Sequence, residues 1–216
     1  MKELPKFYDD LDLTLQEIEY LLSRGVKDRK SSFHYTMLCT INNKTPESRT
    51  VILRKFNKDK FELNIHSDLR SGKINQIESN NNVSCLFYDD KKKIQLRING
   101  QATIEKSYQP SWDKLTNWSR RCYLSEHKPG TEVLKPSSGF PEKFVNESPN
   151  DEESIEGLKN FAVIKIIIRS VEWLFLASQG HRRAIFKVLR ESSNFSIDKK
   201  WLCLLYTSPS PRDCQW

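Results

Sequence analysis

The sequence predicts a mainly β fold with flanking helices, an antiparallel barrel or sandwich, and three observations carry that expectation. Strand-like runs follow one another from Tyr35 to Glu105: Tyr35 to Ile41, Ser48 to Phe56, Phe61 to Ser67, Val83 to Tyr88 and Ile94 to Ile104. Turn clusters such as Asn42-Asn43-Lys44 and Asn57-Lys58-Asp59 separate them closely, which favours antiparallel pairing. A single helical segment, Ser71 to Ile77, interrupts the series, with Ile74 and Ile77 on one face and Asn80-Asn81-Asn82 ending it.

The remaining elements flank this β series. Thr14-Leu15-Gln16-Glu17 has the form of a capping box ahead of apolar Ile18, Leu21 and Leu22, and Gly25 offers a natural stop, so a short N-terminal helix is expected. Pro110 to Ser125 carries Trp112, Leu115, Trp118 and Cys122 at helical spacing and ends before Pro129-Gly130, which predicts a helix packing its tryptophans on the barrel. Lys135 to Glu153, rich in Pro, Ser, Glu and Asn, reads as a surface loop. Strands resume as Phe161 to Ser170 and Val171 to Ser178, and Ala184 to Leu189 is the last clear one. Composition shifts abruptly after Lys199-Lys200-Trp201, so residues 1–201 read as one domain and 202–216 as a non-native tail, similar to translated adapter sequence.

Composition bounds the function. The 216 residues hold 35 Lys and Arg against 28 Asp and Glu, a net charge of +7 that would attract nucleic acid, an anionic membrane or a phosphorylated small molecule. The densest cation run, Lys91-Lys92-Lys93, follows Asp89-Asp90 and reads as a solvated turn, which argues against a nucleic-acid stripe. The five cysteines are scattered, with no C-x-x-C pair and no metal-ligand spacing, so no metal site is expected and a reducing, cytoplasmic compartment fits best. The N-terminus lacks an apolar signal region, and the apolar run Phe161 to Ile168 is interrupted by Lys165; neither a signal peptide nor a membrane span is expected.

Two stretches carry the chemistry. Ser67-Asp68-Leu69-Arg70-Ser71-Gly72-Lys73 joins a strand to a helix, so hydroxyls, cations and unpaired backbone N–H groups converge at one helix N-terminus, a setting for phosphate. It is not a P-loop, because Ser67 stands where that motif requires its first glycine. His181-Arg182-Arg183 lies just past a strand end. Upstream of both, strand alternation puts Arg49, Val51 and Leu53 on one face and Thr50, Ile52 and Arg54 on the other, so the two arginines serve different ends of a ligand unless a bulge intervenes. Gln95 and Arg97 likewise oppose Leu96 and Ile98.

Taken together, Arg49-Thr50-Val51-Ile52-Leu53-Arg54, Ser67 to Lys73, Gln95-Leu96-Arg97-Ile98-Asn99-Gly100, and Val171-Glu172-Trp173-Leu174 leading to His181-Arg182-Arg183 resemble the motif blocks of the pyridoxamine 5'-phosphate oxidase-like FMN-binding split barrels. The likeness runs from about Leu15 to Trp201. It implies an antiparallel split β-barrel with FMN as cofactor. Arg49, Ser71 and Lys73 would hold the FMN phosphate with Ser67 and Arg70 beside them, Gln95 would approach the isoalloxazine, and Trp173 and Arg183 would close over it. His181 and Arg54 would act on the substrate side. The resemblance further implies a homodimer with the flavin between subunits and a small phosphorylated substrate, of which pyridoxamine 5'-phosphate of vitamin B6 metabolism is the type.

The chain departs from the oxidases on the substrate side. Gln179 stands where they carry an Arg two residues before the histidine, and Arg54 where they usually carry Lys. Arg120, Arg121 and Tyr123 match the helix that grips the substrate phosphate only loosely. The leading reading is therefore an FMN-dependent oxidoreductase, with a flavin-binding protein lacking oxidase activity as its rival and a basic nucleic-acid-binding β-barrel as the alternative from another class.

Overall fold

The structure, a computed structural model, describes residues 3–191 and 194–204. Helix α1 (Leu11–Lys27) begins earlier than its apparent capping box: the Asp10 carboxylate accepts from the N–H groups of Asp12 and Leu13, while Thr14 lies inside the helix and donates back to the carbonyls of Phe7 and Asp10. Nor does Gly25 end it. That glycine lies against the backbone of Phe33, where a Cβ would collide with the Phe33 carbonyl, and the helix runs on to Lys27. Ile18, Leu21 and Leu22 line its buried face, as the spacing predicts.

Strands β1 (Tyr35–Asn42), β2 (Thr45–Asn57), β3 (Glu62–Asp68), β4 (Asn82–Asp89), β5 (Ile94–Lys106) and β6 (Phe161–Phe175) pair antiparallel in the order β3-β2-β1-β4-β5-β6, and β3 pairs with β6 to close a six-stranded barrel. Helix α2 (Gly72–Ser79) sits between β3 and β4. Alternation fills the interior with Leu38, Leu53, Leu63, Cys85, Phe87, Leu96, Ile98, Ile164 and Ile166, all fully or almost fully buried, each contributing about 1.5–3 kcal/mol of transfer free energy where a large side chain is involved.

Three further features differ from the sequence expectation. The segments expected as separate strands on either side of Ser170 are one 15-residue strand, β6, whose register against β5 shifts at Asn99/Gly100. Gly100 permits that irregularity, since a Cβ there would stand 2.5 Å from the Ile167 carbonyl. After β7 (Arg182–Glu191) a further strand, β8 (Asn194–Leu202), extends the sheet beyond the barrel. Leu202 is its last residue and pairs with Arg183; of the segment expected as a tail, residues 205–216 lie outside the described residues. Finally, the helix expected over Pro110 to Ser125 is broken into short turns, Gln109–Trp112 and Asn117–Arg120, the second capped by Thr116, followed by a 3-10 turn. The break buries Trp112 against Phe161 and Val163 on the outer face of β6 and leaves Trp118 exposed, stacked on the Arg121 guanidinium at 3.7 Å.

Candidate functional site

The strand-to-helix loop delivers the cluster that the sequence points to. Ser67 is near the end of β3, Ser71 caps α2 and Lys73 lies in its first turn, so short local steps bring all three side chains together. Lys73 Nζ donates to Ser71 Oγ at 3.0 Å and Ser67 Oγ at 3.3 Å, and the two hydroxyls are 3.1 Å apart. The first N–H groups of α2 add donors that no intrahelical carbonyl satisfies. Burial and the nearby Arg49 cation lower the Lys73 pKa, with Asp68 opposing them. Such an ammonium gains strongly from an anion that would share its desolvated position.

Arg49 enters from β2 on the barrel-facing side, beneath α2. It donates to Thr40 Oγ1, to Gln76 Oε1 at 3.1 Å and to Glu47 Oε2 at 3.3 Å. Arg49, Ser67, Ser71 and Lys73 thus gather at one helix start. Arg70 does not join them: its guanidinium is bidentate to Asp68 and donates to the Ser125 carbonyl at 2.9 Å, so it ties the next loop to β3. That loop bounds a cavity of about 530 Å³ whose walls include Ser67, Lys73, Tyr123, Ser125 and Phe140.

Arg54 sits at a register shift between Leu53 and Lys55, on the outer face and away from Arg49. With Lys55, Lys114 and Tyr108 it borders a second cavity of about 410 Å³, and His66 lines both cavities. Burial, with the Arg54 charge in addition, pushes the His66 pKa down to about 4. Its Nδ1 and Arg121 Nε are the buried side-chain atoms without a hydrogen-bond partner among the described residues. His66 was legible only as a neighbour of Ser67; nothing in the sequence marked its ring as a cavity wall.

The second group lies elsewhere. The register aligns Tyr88, Gln95, Leu174 and Arg183 as one row across β4, β5, β6 and β7, on the outer face of the sheet. Arg183 binds Glu172 at 2.7 Å, and Arg97 binds the same carboxylate. His181, in the β6–β7 turn, meets the backbone of Ala177 through Nδ1 and lines a cavity of about 310 Å³ with Asp9, Arg183 and Trp201. Trp173 requires a correction. It is fully buried in the barrel core, edge-on to Phe7 at 5.3 Å, because alternation turns Val171 and Trp173 inward and Glu172 and Leu174 outward. It presents no surface to a ligand, so the group facing outward from this strand beside Arg183 is Glu172.

Ser67 pairs with Ala162 at the start of β6, and Gln95 pairs with Leu174 near its end. The two groups are therefore separated by roughly 40 Å of strand contour, at about 3.3 Å per residue. A single chain holds one phosphate-type cradle and one outward row, at opposite ends of the same strand.

A closed antiparallel barrel with hydroxyls and an ammonium at a helix start is a setting chemically suited to a phosphate group. Comparison with known proteins makes this particular. Residues 16–106 match the family described as pyridoxamine 5'-phosphate oxidase, FMN-binding domain. Pyridoxine/pyridoxamine 5'-phosphate oxidase 2 of Arabidopsis thaliana is 28% identical over 109 residues, 50% of this chain and 54% of that protein, so the chain spans about half the length of the curated relative it matches. Among solved structures, a pyridoxamine 5'-phosphate oxidase-related FMN-binding protein from Nostoc punctiforme superposes with a TM-score of 0.70 at 22% identity, covering 94% of this chain and 100% of that one. PhzG from Burkholderia lata, in complex with tetrahydrophenazine-1-carboxylic acid, gives a TM-score of 0.66 at 16% identity, covering 94% and 99%. The structural likenesses establish the split-barrel fold. Residues 16–106 are thus similar to the FMN-binding domain of the pyridoxamine 5'-phosphate oxidase family, a domain whose cofactor is FMN.

Proposed function

We propose that the protein is an FMN-dependent oxidoreductase in which Lys73, Ser67, Ser71 and Arg49 hold the FMN phosphate. The observation that carries this reading is the Lys73 cradle at the start of α2: a desolvated ammonium, two buried hydroxyls and a neighbouring guanidinium fit a terminal phosphate. Bound FMN would supply hydride acceptance, and the chain supplies binding and orientation. Gln95 and Arg183 face outward in one row and would meet the flavin bound by a second copy. This division supports a homodimer, since the cradle and the row lie at opposite ends of β6. FAD should bind less tightly than FMN, because the cradle closes around a terminal phosphate.

The substrate is a small phosphorylated molecule similar in shape to pyridoxamine 5'-phosphate, with Arg54 and His181 on its side of the site. Gln179 favours the second reading, a flavin-binding protein without that oxidase activity: a neutral amide cannot supply the charge that the oxidases place there. The test is formation of hydrogen peroxide and pyridoxal 5'-phosphate by the FMN-loaded chain. Weak turnover that rises on Gln179→Arg supports the oxidoreductase reading. Robust turnover by the parent removes Gln179 as a determinant, and no turnover by either chain favours the binder.

A further inference from the structure

The surroundings of Arg49 hold a carboxylate that the phosphate reading does not use. Nη1 of Arg49 donates to Thr40 Oγ1 and, at 3.4 Å, to the Leu38 carbonyl; Nη2 donates to Gln76 Oε1 at 3.1 Å and Glu47 Oε2 at 3.3 Å. A guanidinium carries two hydrogens on each Nη and one on Nε, so protein oxygens already take all four Nη hydrogens. A bidentate grip on phosphate uses at least one Nη, and one of these four acceptors must then let go.

The four are not equivalent. Thr40 is fully buried, the Leu38 carbonyl belongs to β1, and Gln76 lies on the buried face of α2. Glu47 is the one charged acceptor, and its side chain is 42% exposed, free to swing toward water. Asn42 Nδ2 and Gln76 Nε2 each donate to it at 2.7 Å, and these bonds, with the Arg49 charge, hold its carboxyl below the usual range. Glu47 is therefore an anion at neutral pH, placed where it attracts the same guanidinium that a phosphate would claim.

We propose that Glu47 is a built-in counter-ion that occupies Arg49 in place of the flavin phosphate and releases it when FMN binds, and so sets the preference for phosphorylated over unphosphorylated flavin. The inference rests on the assignment of Arg49 to the FMN phosphate. In the empty site Glu47 offsets the charge of Arg49; in the loaded site it stands beside a dianion and weakens its hold. Asn42 remains as the partner to which the released carboxylate stays attached.

The experiment titrates the full chain with FMN and with riboflavin, following flavin fluorescence, for the parent, Glu47→Gln and Glu47→Ala. The expected result is a fall in the FMN Kd of about three- to tenfold in both variants, the scale of a partly exposed ion pair, with the riboflavin Kd unchanged. Weaker or unaltered FMN binding in both variants overturns the proposal and makes Glu47 a positioning residue for Arg49 or a bystander. A parent that binds FMN no better than riboflavin removes the phosphate assignment of Arg49, and the proposal with it. The two failures differ in which protein reveals them.

Discussion

The two ends of β6 are built on different plans. At its start, beside Ser67, the polar side chains are buried and bonded to one another within the chain, with Lys73 holding both serine hydroxyls. Toward its end, Gln95 and Arg183 lie half-exposed on an open face, and Arg183 is anchored to Glu172 on the neighbouring strand. A buried, cross-bonded cradle is organised before a ligand arrives and loses little entropy on binding. An open row is completed by what docks on it. Under the proposed function, affinity resides at the first end and assembly at the second.

The largest effect should come from dismantling the cradle. Arg49→Ala with Lys73→Ala removes two charge-assisted contacts of about 1.5–3 kcal/mol each, which corresponds to at least a hundredfold loss of FMN affinity. Unaltered flavin binding would break the comparison at its first end. Trp173→Ala should cost about 3–5 kcal/mol of stability, read as a drop in Tm, since it empties a core position and leaves the outer row in place. Flavin loss from a variant with an unshifted Tm would return Trp173 to the ligand.

His66, at the cradle end, sharpens the comparison through pH. Its folded pKa of about 4 lies below the unfolded value of 6.5, so the unfolded chain takes up this proton first as pH falls. Its contribution is complete above about pH 6.5, declines between 6.5 and 4, and the loss totals on the order of 3 kcal/mol. Urea melts of His66→Gln should show a flatter pH dependence across that window; an unchanged slope would place the acid sensitivity in other groups. The smallest effect belongs to the open end. Arg183→Ala should weaken FMN only severalfold, about 1 kcal/mol for a partly exposed pair. Mixed with Lys73→Ala, it should recover about a quarter of the parent's tight sites at limiting FMN, because half of randomly formed dimers carry one intact site. No recovery would show that each chain completes its own site.

The barrel strands were legible because alternation with one buried face is a strong signal, and β1 to β5 fall within a few residues of their expected bounds. The cradle was legible for a local reason: Ser67, Ser71 and Lys73 are neighbours in sequence and need only a strand-to-helix step to meet. What depends on distant pairing was not. The run Asn194–Leu202 is too polar to announce β8, which is held by its pairing with β7. Trp173 followed a motif, and only the inward parity of β6 shows that it belongs to the core. Gln76 lies 27 residues from Arg49, and only the placement of α2 against the barrel brings it to the guanidinium that Glu47 reaches from two residues away on the same strand.

β6 also governs the order in which this molecule can be made. It supplies the barrel's closing stave, yet it begins at Phe161, long after its partner β3 (Glu62–Asp68) has left the ribosome. Until then the nascent chain carries β3 and β5 with open edges, exposing backbone groups able to pair with another chain. The long loop between β5 and β6 must be drawn shut before those contacts form, a slow step for a chain rich in non-local pairing. Residues 16–106, which hold the cradle and carry the family match, end before this stave, so the half with the cradle is synthesised first and becomes a sealed barrel only with the last third of the chain.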